Sequence, residues 1–175
     1  MKNKNKSIFV HLVASILSVI LICLPVLAVD TNSIGATVTA QNFSVVITSD
    51  GSVPYGSVAL AGAQTSQGVS DTQSAVNNGN VTAKFNIKTS TATSSGGTWT
   101  ITSATGTADQ YTHQFATSTG SPIWRLWTAA DTYAAATGSI PVNATTTIDL
   151  RIGIPSSVSE YSAKTISVTV QATTP

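Results

Sequence analysis

The sequence predicts an all-β protein: a two-sheet antiparallel β-sandwich of about eight to ten short strands behind an N-terminal signal helix. Three observations predict it. Apolar and polar residues alternate with the period of a half-buried strand from residue 36 to the C-terminus. Clusters of Gly, Asn, Asp and Ser punctuate these runs at the spacing of strand-to-strand turns. No segment of that region carries the spacing of an amphipathic helix. Immunoglobulin-like and jelly-roll topologies both fit, although the Cys-Trp-Cys signature of immunoglobulin domains is missing.

At the N-terminus, Lys2, Lys4 and Lys6 precede the apolar run IFVHLVASILSVILICLPVLA, which gives way at once to the polar VDTNS. A basic start, an apolar centre, the helix-breaking Pro25 and small residues Val26 and Ala28 are the pattern of a secretory signal peptide cleaved after Ala28. Residues 1–28 are therefore expected to be a signal peptide and residues 29–175 a single β-sandwich domain, large enough to bury its own core. The alternative is an uncleaved anchor, since the run is long enough to span a bilayer. Cys23 does not mark a lipoprotein, because Ile22 stands before it where processing needs a small residue.

Cleavage after Ala28 removes the one cysteine, so neither disulfides nor thiolate metal sites are expected, and packing and sheet hydrogen bonds must carry stability. It also leaves five basic residues (Lys84, Lys88, Arg125, Arg151, Lys164) against seven acidic ones, a net of two negative charges. Without a basic patch, neither nucleic acid nor, after signal cleavage, a membrane is an expected partner. Thr, Ser, Asn and Gln supply the polar surface instead, a composition associated with secreted and surface proteins.

Along the chain, residues 36–48 place Ala36, Val38 and Ala40 on one face, then Phe43, Val45 and Ile47 after a slip near Asn42, giving two strands or one bent at a bulge. In QSAVNNGNVTAKFNIKTS, Asn77, Asn78, Gly79 and Asn80 predict a tight hairpin with left-handed backbone. Its second strand points Val81, Ala83, Phe85 and Ile87 inward and Thr82, Lys84, Asn86 and Lys88 outward. Gly96 and Gly97 open a strand with Trp99 and Ile101 on the buried face, and a GTAD turn leads to QYTHQFATS, where Tyr111, His113 and Phe115 share a face. The segment IWRLWTAADTYAAATGSIPVNA is irregular. TTIDLRIGI then buries Ile148, Leu150, Ile152 and Ile154, and after the loop PSSVSEYS the last run buries Ile166, Val168, Val170 and Ala172.

The stretches VPYGSVAL, GTWTIT and the terminal YSAKTISVTVQATTP resemble bacterial surface proteins of the WxL type, with Trp99-Thr100-Ile101 at the place of the Trp-x-Leu motif. Trp124-Arg125-Leu126 matches that tripeptide literally in another context. The NNGNVTAKFNI segment is similar to the Asn-Gly turns of camelysin and TasA-type secreted β-sandwich matrix proteins. The first resemblance implies noncovalent attachment to the cell wall and the second implies self-assembly.

No catalytic constellation is visible. His113 is the single histidine of residues 29–175; it has no GxSxG elbow or base partner and reads as a strand residue. The acids are scattered through turns, with no spacing for glycoside hydrolysis, no DxDxDG calcium run and no HExxH zinc motif. No cofactor is expected, and the SSGG stretch lacks the Lys and helix of a phosphate loop. Lys84 and Lys88 point outward, which makes them solvated residues and not isopeptide donors. The acceptor triplets at Asn42, Asn80 and Asn143 are matched by chance in so Ser- and Thr-rich a chain.

The candidate ligand-binding residues are Trp124, Trp127 and Tyr133, because exposed rings are stacking platforms for sugars; the opposing reading is that these rings plug one end of the fold. In a strand Trp124 and Leu126 take one face, Arg125 and Trp127 the other. The expected function is that of a non-enzymatic, secreted cell-surface or extracellular-matrix structural or adhesive protein, partnered by cell-wall or matrix polymer or by copies of itself. The alternative is a carbohydrate- or cell-wall-binding module using those aromatics.

Overall fold

The computed structural model describes residues 35–104, 107–117 and 121–175. The signal segment at residues 1–28 lies outside them. The chain divides into two units, Met1–Val38 and Thr39–Pro175, and every element described below lies in the second. No helix among the described residues is long and apolar enough to cross a membrane.

The architecture is all-β, as its alternation predicts. Among the described residues eleven strands follow in order: β1 (Val45–Ile47), β2 (Ala63–Thr65), β3 (Gln73–Asn77), β4 (Lys84–Thr89), β5 (Ala92–Ser94), β6 (Gly97–Ile101), β7 (Gln110–Ala116), β8 (Arg125–Leu126), β9 (Ala134–Ala135), β10 (Thr145–Gly153) and β11 (Val168–Thr173). The one helical element described is a 3-10 turn, Gln67–Val69. Eight strands form one sheet along the path β1-β3-β10-β7-β6-β5, with β2 also on β10 and β8 on β7; β11, β4 and β9 form the other.

β10 organises the larger sheet. One of its edges carries β3 over Thr145–Ile148 and then β2 over Arg151–Gly153, while the other carries β7 from Asp149 to Gly153. Ser66 bridges the step between β3 and β2: its N–H donates to the Leu150 carbonyl and its Oγ accepts from the Leu150 N–H. Alternation then fixes which side chains turn inward. Tyr111 and Phe115 of β7, Ile148, Leu150 and Ile152 of β10, and Phe85 and Ile87 of β4 are all buried, on the faces the sequence assigns them. One core cluster joins both sheets through Ala75, Phe85, Ile87, Phe115, Trp127 and Ile148; a second gathers Ala92, Tyr111, Ile152 and Ile154.

Three expectations change. The segment QSAVNNGNVTAKFNIKTS is not a hairpin, because β3 and β4 belong to different sheets and the Asn-Gly turn carries the chain from one to the other. None of Asn77, Asn78, Gly79 or Asn80 takes a positive φ. Asn77 is instead fully buried and acts as a staple: its Nδ2 donates to the carbonyls of Val81 and Ile140, and its Oδ1 accepts from the Gly79 N–H. Glycine is required at 79 by close approach, since a Cβ there would lie 2.2 Å from the Asn42 carbonyl oxygen. Second, β6 and β7 are parallel, with Thr100 opposite Gln110 and Ile101 opposite Tyr111, so the pairing is not antiparallel throughout. Third, residues 36–44 form no strand, so the two strands, or one bent strand, expected over residues 36–48 reduce to β1.

Candidate functional site

The three candidate aromatics differ in burial and in the strands they stand beside. Trp127 is 2% exposed; its ring centroid lies 4.7 Å from Phe115 and 5.0 Å from His113, and its Nε1 donates to the Ile87 carbonyl, so it is a core residue of the junction between the sheets. Trp124 is half-buried beside β8 in the larger sheet, whereas Tyr133 is exposed beside β9 in the smaller one. Lys88 Nζ stands 5.3 Å from the Tyr133 ring centroid and 3.4 Å from Asp131, so that corner is a solvent-facing cation–π and ion-pair contact. Arg125 does not stack on Trp127; its Nη1 donates to the Ala135 carbonyl.

His113, between Tyr111 and Phe115 on the inner face of β7, is 1% exposed. Its Nδ1 is 2.8 Å from Thr89 Oγ1 and its Nε2 is 3.4 Å from the Tyr55 hydroxyl. Burial lowers its pKa from 6.5 to about 3, because the cationic ring would lose its hydration with no counter-charge in reach. Burial likewise holds the Tyr55 and Tyr111 hydroxyls protonated, with Tyr111 pushed up to about 12 while donating to the Ser90 carbonyl. A neutral imidazole between two hydroxyls and a Trp face is a packed polar core.

That arrangement makes stability depend on pH. Between about pH 3 and 6.5 the unfolded chain binds a proton at His113 that the folded chain does not. The contribution of the neutral ring is therefore complete above pH 6.5 and is lost as pH falls below it. At a limiting slope of about 1.4 kcal/mol per pH unit, urea denaturation is expected to give an unfolding free energy roughly 2 kcal/mol lower at pH 5 than at pH 7. A His113→Gln variant is expected to lose most of that drop.

Sequence reasoning missed a buried carboxylate. Asp149 is 1% exposed on the opposite face of β10 from Ile148 and Leu150, under the 3-10 turn. Its Oδ1 accepts from Ser66 Oγ (3.1 Å) and Thr72 Oγ1 (2.7 Å), and its Oδ2 from Gln67 Nε2 (2.8 Å). The one available signal was Asp in the middle of an aliphatic strand, where an unpartnered charge is unfavourable. Among the described residues no group of three or more His, Cys, Asp or Glu converges as metal ligands do.

A solvent-open cleft of about 980 Å³ lies between the sheets. One wall is the inward row of β10 and the residue after it: Ile148, Leu150, Ile152 and Ile154. The facing wall is Ile166 with Val168 and Val170 of β11. Exposed loop residues, among them Gly51, Gly56, Ser57 and Tyr161, lie at its rim. Trp99 lines the cavity, and its buried Nε1 has no hydrogen-bond partner among the described residues. Lys164 is 5.3 Å from the Trp99 ring centroid, ion-paired with Glu160 and donating to Ser94 Oγ at 3.0 Å. The row Ile166, Val168 and Val170 thus faces inward as the sequence predicts, half-buried and packed against the two core clusters.

Comparison of the chain with protein-family models, curated proteins and solved structures gives no match.

Proposed function

We propose that the chain is a secreted, non-enzymatic structural or adhesive component of the cell surface or extracellular matrix, which acts by joining copies of itself. In this reading residues 1–28 are a cleaved signal peptide, and the two sheets make a β-sandwich of immunoglobulin-like or jelly-roll type. The observation that carries it is an unguarded sheet edge together with an exposed segment outside any strand, which is tied to the fold only at its end, where Asn80 bonds Ala40 and Asn42. β11 pairs with β4 alone among the described strands, and its sequence VTVQAT has no charge and no proline. Natural proteins usually guard such an edge with Lys, Pro or a bulge, because its free N–H and C=O groups template strand addition. Residues 35–42 are exposed, form no strand, and alternate Ala36, Val38 and Ala40 with Thr37, Thr39 and Gln41; Val38 is 97% exposed.

Strand addition between copies gives affinity through main-chain hydrogen bonds and register through alternate side chains. It fits the self-assembly implied by the TasA-type resemblance and supplies, without an enzyme, the multivalency that wall attachment of the WxL type would use. The carbohydrate-binding alternative is left with Trp124 and Tyr133, since Trp127 is inside the core. The test is deletion of residues 29–42. Assemblies seen by light scattering with the intact secreted chain are expected to disappear, while circular dichroism and cooperative unfolding persist. Assemblies that survive the deletion of a folded chain would rule out this segment as the joining strand.

A further inference from the structure

We propose, resting on the self-joining reading above, that the strand added to β11 is residues 36–40 of a second copy, laid parallel to β11 with Val38 beside Val170. The phase of the main-chain hydrogen bonds carries this. The Phe85 carbonyl accepts from the Ala136 and Thr137 N–H groups, the Ile87 carbonyl from Trp127 Nε1, and the Thr89 carbonyl from the Asp131 N–H. Odd-numbered residues of β4 therefore turn their main chain away from β11. Ser90, on the other phase, donates its N–H to the Ser167 carbonyl. Lys88 stands opposite Thr169 and Asn86 opposite Gln171, so the odd-numbered residues of β11 are the ones that bond β4. Val168, Val170 and Ala172 are left to present their N–H and C=O groups at the open edge, while their side chains pack on the core.

The exposed segment has a phase of its own. Asn80 Nδ2 donates to the Ala40 carbonyl, the Asn42 N–H donates to Asn80 Oδ1, and the Asn80 N–H donates to the Asn42 carbonyl. Even-numbered main-chain groups are thus committed to Asn80, and an extended chain continued back from that tie offers those of Thr37 and Thr39 on its other edge. Its apolar side chains, Ala36, Val38 and Ala40, are also even-numbered, and to join the inner row they must stand beside Val168, Val170 and Ala172. Antiparallel pairing would set even against even and call on the groups that Asn80 holds. In a parallel pair each residue bonds the two neighbours of the residue beside it. The Val170 N–H then donates to the Thr37 carbonyl and the Thr39 N–H to the Val170 carbonyl, and the Thr37 N–H and Thr39 carbonyl reach Val168 and Ala172. Parallel pairing alone uses the free edge of both segments and turns the apolar row inward. Thr37 and Thr39 then extend the exposed row of Thr169 and Gln171. Residues 36–40 carry no charge, glycine or proline that would oppose a strand.

The experiment is disulfide trapping between chains of residues 29–175, which hold no cysteine of their own. Ala36→Cys chains are mixed with Val168→Cys chains and, separately, with Ala172→Cys chains of different mass, left to assemble, and oxidised. The mixed dimer on a non-reducing gel is expected with Val168→Cys and not with Ala172→Cys. Assemblies that link Ala36→Cys to Ala172→Cys, or to neither, would overturn this pairing and leave the self-joining reading standing. Absence of assemblies from the unsubstituted chain would overturn both. Val170→Pro removes a donor from the free edge and none from the β4 ladder, so it is expected to abolish assembly in a chain that still unfolds cooperatively. Gln171→Pro breaks a bond to β4 and is expected to lower Tm. A folded Val170→Pro chain that assembles as before would also overturn the proposal, and should that variant fail to fold, the cysteine pairs decide.

Discussion

Replacing Trp127 with alanine is expected to lower the unfolding free energy by about 3–5 kcal/mol, the range for deleting a buried aromatic ring. The side chain is 2% exposed, contacts the rings of Phe115 and His113, and donates its N–H to the Ile87 carbonyl of β4. Truncation removes apolar contact on the β7 side and an indole donor to the other sheet in one step. Tyr133→Ala is expected to change stability by less than about 0.5 kcal/mol, because Tyr133 is exposed and its partners Lys88 and Asp131 keep contact with water. Denaturant titration of both variants distinguishes a ring that holds the sheets together from one that receives a ligand. A Trp127→Ala chain of unaltered stability that no longer bound polysaccharide would place that ring on a binding surface and contradict the packing described here.

Asp149→Ala is expected to cost roughly 2–4 kcal/mol, chiefly through Ser66. Gln67 and Thr72 are exposed residues and can turn their donors to water, but Ser66 is fully buried and would keep an unsatisfied hydroxyl. Its Oγ also accepts from the Leu150 N–H at the point where β10 changes partners, so disorder of Ser66 loosens the ladder itself. Asp149→Asn is expected to recover most of the loss. One oxygen suffices for Ser66 and Thr72, which share Oδ1, and Gln67 can rotate its amide to present an oxygen to the new NH₂. Amide exchange at Leu150 should follow the same order, fastest in the alanine variant.

Much of the inner surface was legible in the sequence, because a period of two fixes which side chains share a face once a strand exists. The inward row of Tyr111, His113 and Phe115 in β7 and that of Ile148, Leu150 and Ile152 in β10 follow from alternation alone, and both are buried. Partner choice was not legible, since it depends on contacts far apart in the chain. The Asn-rich stretch at 77–80 has the composition of a hairpin, yet Asn77 spends its amide on Val81 and Ile140, and its Gly answers the approach of Asn42. Composition likewise could not separate Trp127 from Trp124. The offset of a few residues that puts one ring under the sheets and leaves the other beside β8 is set by where the short strand β8 docks on β7. Asp149 was obscure for a related reason: its three donors lie far from it in sequence, in the 66–72 loop.

The reading of the chain as a self-joining surface or matrix component is tested most directly by light scattering and negative-stain microscopy of the secreted protein, with sedimentation against insoluble cell wall beside them. The account predicts filaments or large oligomers whose mass grows with protein concentration. A monomer at every concentration that also fails to sediment with cell wall would contradict it.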